Sequence, residues 1–301
     1  MYLVSEQPLV PPTSRKKAPP RVETLLEKGS SALNEDVLLE AENLFGVFDG
    51  ATSLDGRTLY DGLSGGLLAA RTAASVFQRN GSSLACLAEQ ANNRIRQALL
   101  KQDIPLGERH RFWSTSLAVV RLAGNRLEYC QTGDALILFI HQDGSYRLVT
   151  PDIDIDRETL CLWQDCRKPK SATIHELLAE QIQQVRLQMN ISYGVLNGEP
   201  EALDFLRHGC EKLDGVSDVL LFTDGLYLPR ENPLEDSDWD SFVKLYRQGG
   251  LQAIRDQVRQ LQQTDPCLKK YPRFKLHDDI AAVAIRLNNQ LRPALPAIVC
   301  S

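Results

Sequence analysis

Apolar positions along the chain fall into two periods. Short apolar runs broken by turn-forming pairs alternate with longer stretches in which apolar residues recur every three or four positions. The first two short runs are Val37-Leu-Leu-Glu-Ala41 and Leu44-Phe-Gly-Val-Phe48, separated by Glu42-Asn43, which reads as a β-hairpin. With Glu42 and Asn43 as the turn, counting outward sets Asp36 opposite Asp49 and Glu35 opposite Gly50. Leu117 to Leu122 and Leu127 to Thr132, turning at Gly124-Asn125, repeat the form and bring Thr115 near Asp134. Ala135 to Ile140 turns at Asp143-Gly144 into Tyr146 to Val149, and two more apolar runs precede Thr223 and follow Asp279. The helical period appears at Leu63, Leu67, Ala70, Ala74 and Phe77, then at Leu84, Leu87, Ala91, Ile95 and Ala98. Thr173-Ile-His-Glu176 is a capping box, predicting a helix through Val185. Pro200 and Gly209 bracket a further short helix, and Trp239 to Tyr246 and Leu251 to Leu261 give two more. Residues 151–172 carry no clear period. Strands grouped in hairpins and helices grouped in pairs predict an antiparallel α+β arrangement.

The strand ends carry the chemistry. Asp49-Gly50, Asp134, Asp224-Gly225 and Asp278-Asp279 each stand at the end of an apolar run. Taken alone, any one of them reads as a surface turn. Four such stations together read as a set of carboxylates that repel one another unless a positive charge sits between them. A hard divalent cation with oxygen ligands is the expected occupant. Gly50, lacking a Cβ, lets its own carbonyl approach such an ion. No His/Cys grouping suits zinc.

Composition narrows the class. The formal charge is −5, which argues against a nucleic-acid binder, and no apolar run approaches the length of a membrane span. The N-terminus lacks the pattern of a secretion signal, and seven scattered cysteines suit reduced thiols, so a cytoplasmic location is expected. Residues 1–21, with five prolines around Arg15-Lys16-Lys17, read as an extended arm, and residues 288–301 as a second tail. One domain is expected between them, over residues 22–287.

At these blocks the chain resembles the metal-dependent serine/threonine protein phosphatases of the 2C type, in their bacterial form. The matching blocks are Asn34-Glu-Asp36, Val47-Phe-Asp-Gly50, Ser114-Thr-Ser-Leu117, Thr132-Gly-Asp134, Leu221-Phe-Thr-Asp-Gly225 and Asp278-Asp-Ile-Ala-Ala-Val283, in the family's order. The resemblance implies two stacked antiparallel β-sheets, a β-sandwich, with pairs of α-helices on both outer faces. It implies hydrolysis of phosphoserine and phosphothreonine by attack of a metal-bridging water, with two Mn²⁺ or Mg²⁺ ions as cofactors. Carried over position by position, Asp49 bridges both ions, Gly50 gives its carbonyl to one, and Asp224 and Asp278 complete the second site. Glu35 acts through a bound water, and Asp134 matches the position of a third, weaker ion. Asp279 is expected to position its neighbours, and Asp36 either caps a strand start or acts directly.

Three positions depart from the family pattern. The arginine that grips the substrate phosphate, four residues before Glu35, is Ser31 here. A histidine found two residues after the glycine of Asp-Gly in many members is Thr52, and the loop reads Ala51-Thr-Ser-Leu-Asp-Gly56. Lys28, Arg57 and Arg71 are the nearby cations that sequence position offers as substitutes. His277 adjoins a site block but is expected to be structural, as is Trp113. The partner implied is a phosphorylated protein, with neither nucleic acid nor membrane, and a monomer is the default. Two alternatives share the fold: a phosphatase for small phosphoesters, and a weakly catalytic binding or regulatory module.

Overall fold

The computed structural model describes residues 20–51, 54, 62–102, 104–105, 107–166 and 173–287. Arg57, Thr52, residues 1–19 and residues 288–301 lie outside the described residues. Among the described residues, ten strands form two five-stranded sheets. One holds β1 (Arg21–Glu27), β10 (Ile280–Arg286), β9 (Val216–Phe222), β6 (Leu136–His141) and β7 (Tyr146–Leu148), in that spatial order. The other holds β2 (Val37–Glu40), β3 (Leu44–Gly50), β4 (Thr115–Ala123), β5 (Arg126–Thr132) and β8 (Arg207–Lys212). Every neighbouring pair is antiparallel.

The central strands are continuously apolar because both of their faces are buried, unlike strands of a sheet with one wet face. In β9, Val219 and Leu221 point between the sheets while Leu220 and Phe222 point outward; β6 and β10 divide in the same way. The space between the sheets is filled by Phe45, Val47, Val120, Ile137, Phe139 and Val283. The outer face of the second sheet is covered by α1 (Gly65–Phe77) and α2 (Leu84–Lys101), which pack Phe77, Leu87 and Ile95 against Phe48, Leu117 and Val119. Each such large side chain contributes about 1.5–3 kcal/mol by leaving water. Ser64 and Ser83 cap the two helices by accepting from the backbone N–H of Leu67 and Cys86.

On the other outer face the expected pair of helices lies within α6 (Trp239–Gln263), divided at Gly249 and Gly250, where the backbone leaves helical geometry. The φ of +69° at Gly250 suits only glycine. Glu23 of β1 fills the kink, its carboxylate accepting the Leu251 N–H at 2.9 Å and so capping the second half.

Two expectations are corrected, and a segment left unread takes shape. The capping box at Thr173 forms, but the helix stops after α4 (Ile174–Leu177) and restarts as α5 (Ala179–Leu187), because Leu178 leaves helical geometry. The short helix expected to open at Pro200 is there as a 3₁₀ helix, Pro200–Phe205, but Gly209 is not its stop: β8 runs straight through that residue. The segment without a period contains α3 (Arg157–Asp165), which buries Thr159 and Trp163. Among the described residues no helix is long and apolar enough to cross a membrane.

Candidate active site

The first hairpin has the register that its turn dictates: Val37 faces Phe48 and Leu38 faces Val47. Asp36 and Glu35, just before β2, therefore stand level with Asp49 and Gly50 at the end of β3. Leu117 faces Thr132 in the next hairpin, again as counted from its turn. β3 pairs with β4 through Asp49↔Ser116 and Gly50↔Thr115, so all these ends meet at one rim. Asp134 follows Gly133, whose φ of +76° turns the chain sharply after β5. Asp224 follows β9, and Asp278 precedes β10.

One cleft of about 640 Å³ takes in Asp49, Gly50, Asp134, Asp224 and Asp278. Burial pushes the carboxyl of Asp49 well above its usual range, and the charges of Asp36, Asp134 and Asp278 push it further. Asp224 is raised likewise, by burial first and then by Asp49, Asp278 and Asp134. Asp134 is raised by burial, with Asp154 and Asp278 adding to it. Asp49 and Asp224 share a hydrogen bond between their side chains. Gly50 is walled in: a Cβ there would lie 2.4 Å from the Gly66 carbonyl oxygen and 2.8 Å from that of Glu35. No side chain fits.

The remaining acids divide by their partners. Asp279 is 3% exposed, and its two oxygens accept the Gly29 N–H at 2.7 Å and the Glu35 N–H at 2.9 Å. It fixes the backbone that carries Glu35. Asp36 accepts from the Thr223 hydroxyl at 2.7 Å, linking the start of β2 to the end of β9. It is buried, and it does not line the cleft. Burial raises its carboxyl well above the ordinary range, the more so for the nearby Asp278 and Asp224. The Glu35 carboxylate accepts from the Ser64 hydroxyl at the mouth of α1. His277 is engaged with Gln262 at 2.8 Å, and Trp113 packs on Gly65, both away from any role in the cleft.

Whether these residues suit metal ions turns on the donors. All are oxygens, they share one cleft, and desolvation with the charges of neighbouring carboxylates raises the proton affinity of Asp49, Asp134 and Asp224. That chemistry fits hard divalent cations. As they stand, no group of three or more His, Cys, Asp or Glu among the described residues is set to hold a metal. Within the cleft, Asp278 Oδ1 accepts Lys275 Nζ at 2.8 Å.

Lys275 was not among the cations that sequence position offered. Burial lowers its proton affinity, but Asp278 outweighs that and holds it above the ordinary range. Arg111 and Arg186 line the same cleft, as do His110 and His175. His175 is shifted down by burial and by Lys275 and Arg186. Lys28 instead turns to the backbone carbonyls of Ser31, at 3.1 Å, and Ala32, at 3.4 Å, and Arg71 is exposed on α1. Neither lines the cleft. The third sequence candidate, Arg57, lies outside the described residues. The cleft cations come from residues 107–111, α5 and the loop before β10, segments whose sequence carries no strand-end signature.

A two-sheet sandwich flanked by helices, with carboxylates from several strand ends converging on one rim, defines the architecture. Residues 30–264 match the family protein phosphatase 2C. The chain belongs to that family. Among solved structures it is similar to the serine/threonine phosphatase PstP/Ppp of Mycobacterium tuberculosis (17% identity, 90% of this chain and 100% of that one, TM-score 0.55). It is also similar to the PstP catalytic domain in complex with two manganese ions (16%, 89% and 98%, TM-score 0.53). The third is the phosphatase Stp1 of Staphylococcus aureus (14%, 90% and 96%, TM-score 0.56). At these identities the structures attest the fold. No curated protein sequence matches the chain. Membership of the family makes the protein a metal-dependent phosphoprotein phosphatase, and it favours neither the small-phosphoester enzyme nor the binding module.

Proposed function

We propose that the protein hydrolyses phosphoserine and phosphothreonine in protein substrates, using Mn²⁺ or Mg²⁺ held at the rim of the two sheets. The observation that carries this reading is the convergence of Asp49, Asp134, Asp224 and Asp278 on one cleft, where neighbouring carboxylates raise the proton affinity of Asp49 and Asp224. A cluster that repels itself gives the fold nothing and serves a cation well. When bound, the two ions supply Lewis acidity, lowering the pKa of water and offsetting the negative charge of the phosphoryl group.

The chain's own groups have separable tasks. Asp49, Asp224 and Asp278 hold the ions, with the Gly50 carbonyl beside them, and the acidity of the set depends on all three being ionised. Glu35 is oriented by Ser64 from one side and by Asp279, through its backbone, from the other. Asp134 adds a weaker, outlying ligand on a different hairpin. Asp36 locks β2 to β9 so that these ends keep their spacing. Ile155, Ile182, Val185, Met189 and Val195 give the cleft an apolar wall. That wall suits the side chains flanking a phosphorylated residue. Six of the described cysteines are free thiols, which supports a reducing, cytoplasmic setting.

The experiment is Mn²⁺-dependent hydrolysis of a phosphothreonine peptide compared with p-nitrophenyl phosphate. The reading expects kcat/KM to favour the peptide and activity to vanish in chelator. A strong preference for the small ester would remove the protein-substrate assignment.

A further inference from the structure

With Ser31 where the family's phosphate-gripping arginine stands, the cleft has to draw its substrate-binding charge from elsewhere. Lys275 is built for that place. Its loop, residues 264–279, is pinned from within. Asp265 accepts the N–H groups of Lys269 at 3.2 Å and Tyr271 at 2.9 Å. Arg273 is wholly consumed by the loop: it bonds the Asp265 carboxylate at 3.0 Å and the carbonyls of Gln262, Asp265, Tyr271 and Leu276. Phe274 then packs on the ring of His175, with centroids 5.7 Å apart. Lys275 is thus held out from a rigid base, with its side chain 19% exposed at the cleft.

The ammonium meets the carboxylates at one atom. Asp278 Oδ1 accepts both Lys275 Nζ, at 2.8 Å, and the Asp279 N–H, at 2.9 Å. Its other oxygen, Oδ2, receives no hydrogen bond among the described residues. Asp278 can therefore ligate an ion with Oδ2 while Oδ1 keeps the lysine beside that ion. An ammonium has three donors, and only one is taken up by Asp278. Arg186 is less well placed, reaching Ser114 Oγ on the opposite wall at 3.4 Å.

We propose that Lys275, seated on Asp278, is the phosphate-anchoring cation of this enzyme and takes the task of the arginine absent at Ser31. The inference rests on the phosphatase reading above. The ammonium donates to a non-bridging phosphoryl oxygen of the substrate, and the same contact holds the inorganic phosphate product. A lysine does this as a point charge rather than a two-pronged fork, so the grip is looser and less directional. The contact exists in ground and transition states alike, and its loss therefore falls on KM more than on kcat.

The test compares wild type with Lys275→Met, Lys275→Gln and Lys275→Arg, each checked for folding by thermal melt. Inorganic phosphate is titrated calorimetrically into the Mn²⁺-loaded proteins, and KM and kcat are measured on a phosphothreonine peptide. Lys275→Met and Lys275→Gln should weaken phosphate binding and raise KM by about 10-fold or more, as loss of a charge-assisted hydrogen bond does. In these variants kcat stays within about threefold and Mn²⁺ affinity is not reduced, while Lys275→Arg recovers most of the phosphate affinity. Unchanged phosphate affinity in the two neutral variants overturns the proposal. So does a loss of Mn²⁺ affinity that accounts for the whole effect, since Lys275 would then only support Asp278. The phosphate titration is read whether or not peptide is turned over. Absence of hydrolysis in every protein, wild type included, therefore counts against the phosphatase reading and not against the lysine.

Discussion

Two groups of carboxylates in this molecule sit in opposite electrostatic states. Glu199 is 8% exposed and surrounded by donors: Arg109 through two guanidinium nitrogens, Asn190 at 3.2 Å and Asn197 at 2.8 Å. Burial raises its proton affinity, but Arg109 and the two amides outweigh that, and the carboxyl is held below its ordinary range. Asp49, Asp134 and Asp224 are half-buried at the cleft, yet the charges that act on them are those of other carboxylates, and all are held above it. A buried acid that stabilises a fold comes with its donors. Acids left facing one another mark the place where the chain expects a cation from outside. Glu199 ties residues 187–199 to α2 through Asn92, which bonds the Glu199 carbonyl at 2.7 Å. The rim acids tie down nothing comparable.

The contrast breaks most visibly at Asp49. Asp49→Asn should abolish Mn²⁺-dependent turnover, by about 10³-fold or more, because an amide cannot bridge cations as a carboxylate does. The fold should survive, and the melting temperature in chelator should stay level or rise. A variant with near wild-type turnover would remove Asp49 from the metal set. Asp134→Ala should act more gently, raising the Mn²⁺ concentration needed for half-maximal activity by roughly tenfold while leaving peptide KM close to wild type. An unchanged Mn²⁺ requirement would show that Asp134 is no ligand.

Glu199→Gln is the converse case. It should leave kcat within about threefold but lower stability by about 1–3 kcal/mol, since the half-buried Arg109 and the Asn190 and Asn197 amides would lose their anionic acceptor. Urea unfolding measures this, and a variant that is as stable as wild type but inactive would invert the comparison. The smallest effect is one of pH. Asp49, Asp134 and Asp224 have folded pKa values raised above their unfolded ones. The stability they contribute is therefore full below about pH 4 and is lost as pH rises through the folded values. Asp156, beside them in the cleft and pushed up to about 7 chiefly by burial and Asp134, extends the window to neutrality. In chelator, Asp49→Asn and wild type should melt together near pH 4. The variant should gain a few degrees over wild type by pH 8. A gap that is constant across pH would show that the rim acids do not repel.

Much of this site is legible before folding because turns set register. Two turn residues at Glu42-Asn43 and two at Gly124-Asn125 fix which residues stand opposite, and both hairpins have the counted pairing. The acids at their ends therefore meet where simple counting puts them. What escapes is structure without a buried period. β1 and β8 are edge strands: β1 buries only Leu25, and β8 alternates half-buried Arg207, Gly209 and Glu211 with exposed neighbours. Neither shows the apolar run that marks a central strand. Lys275 escapes for a related reason. Its loop is shaped by hydrogen bonds from Asp265 and Arg273, and no spacing rule foretells that a lysine there will reach Asp278. The cations near Ser31 in sequence were the natural candidates, and in space Lys28 and Arg71 point elsewhere.

The claim that the rim acids are kept for cations, and Glu199 for the fold, meets its most direct test in calorimetric titration of Mn²⁺. Wild type, Asp49→Asn and Glu199→Gln would be titrated side by side at neutral pH. Wild type and Glu199→Gln should bind the ion with the same stoichiometry, and Asp49→Asn should lose at least one site. Equal binding by Asp49→Asn and wild type would contradict the account.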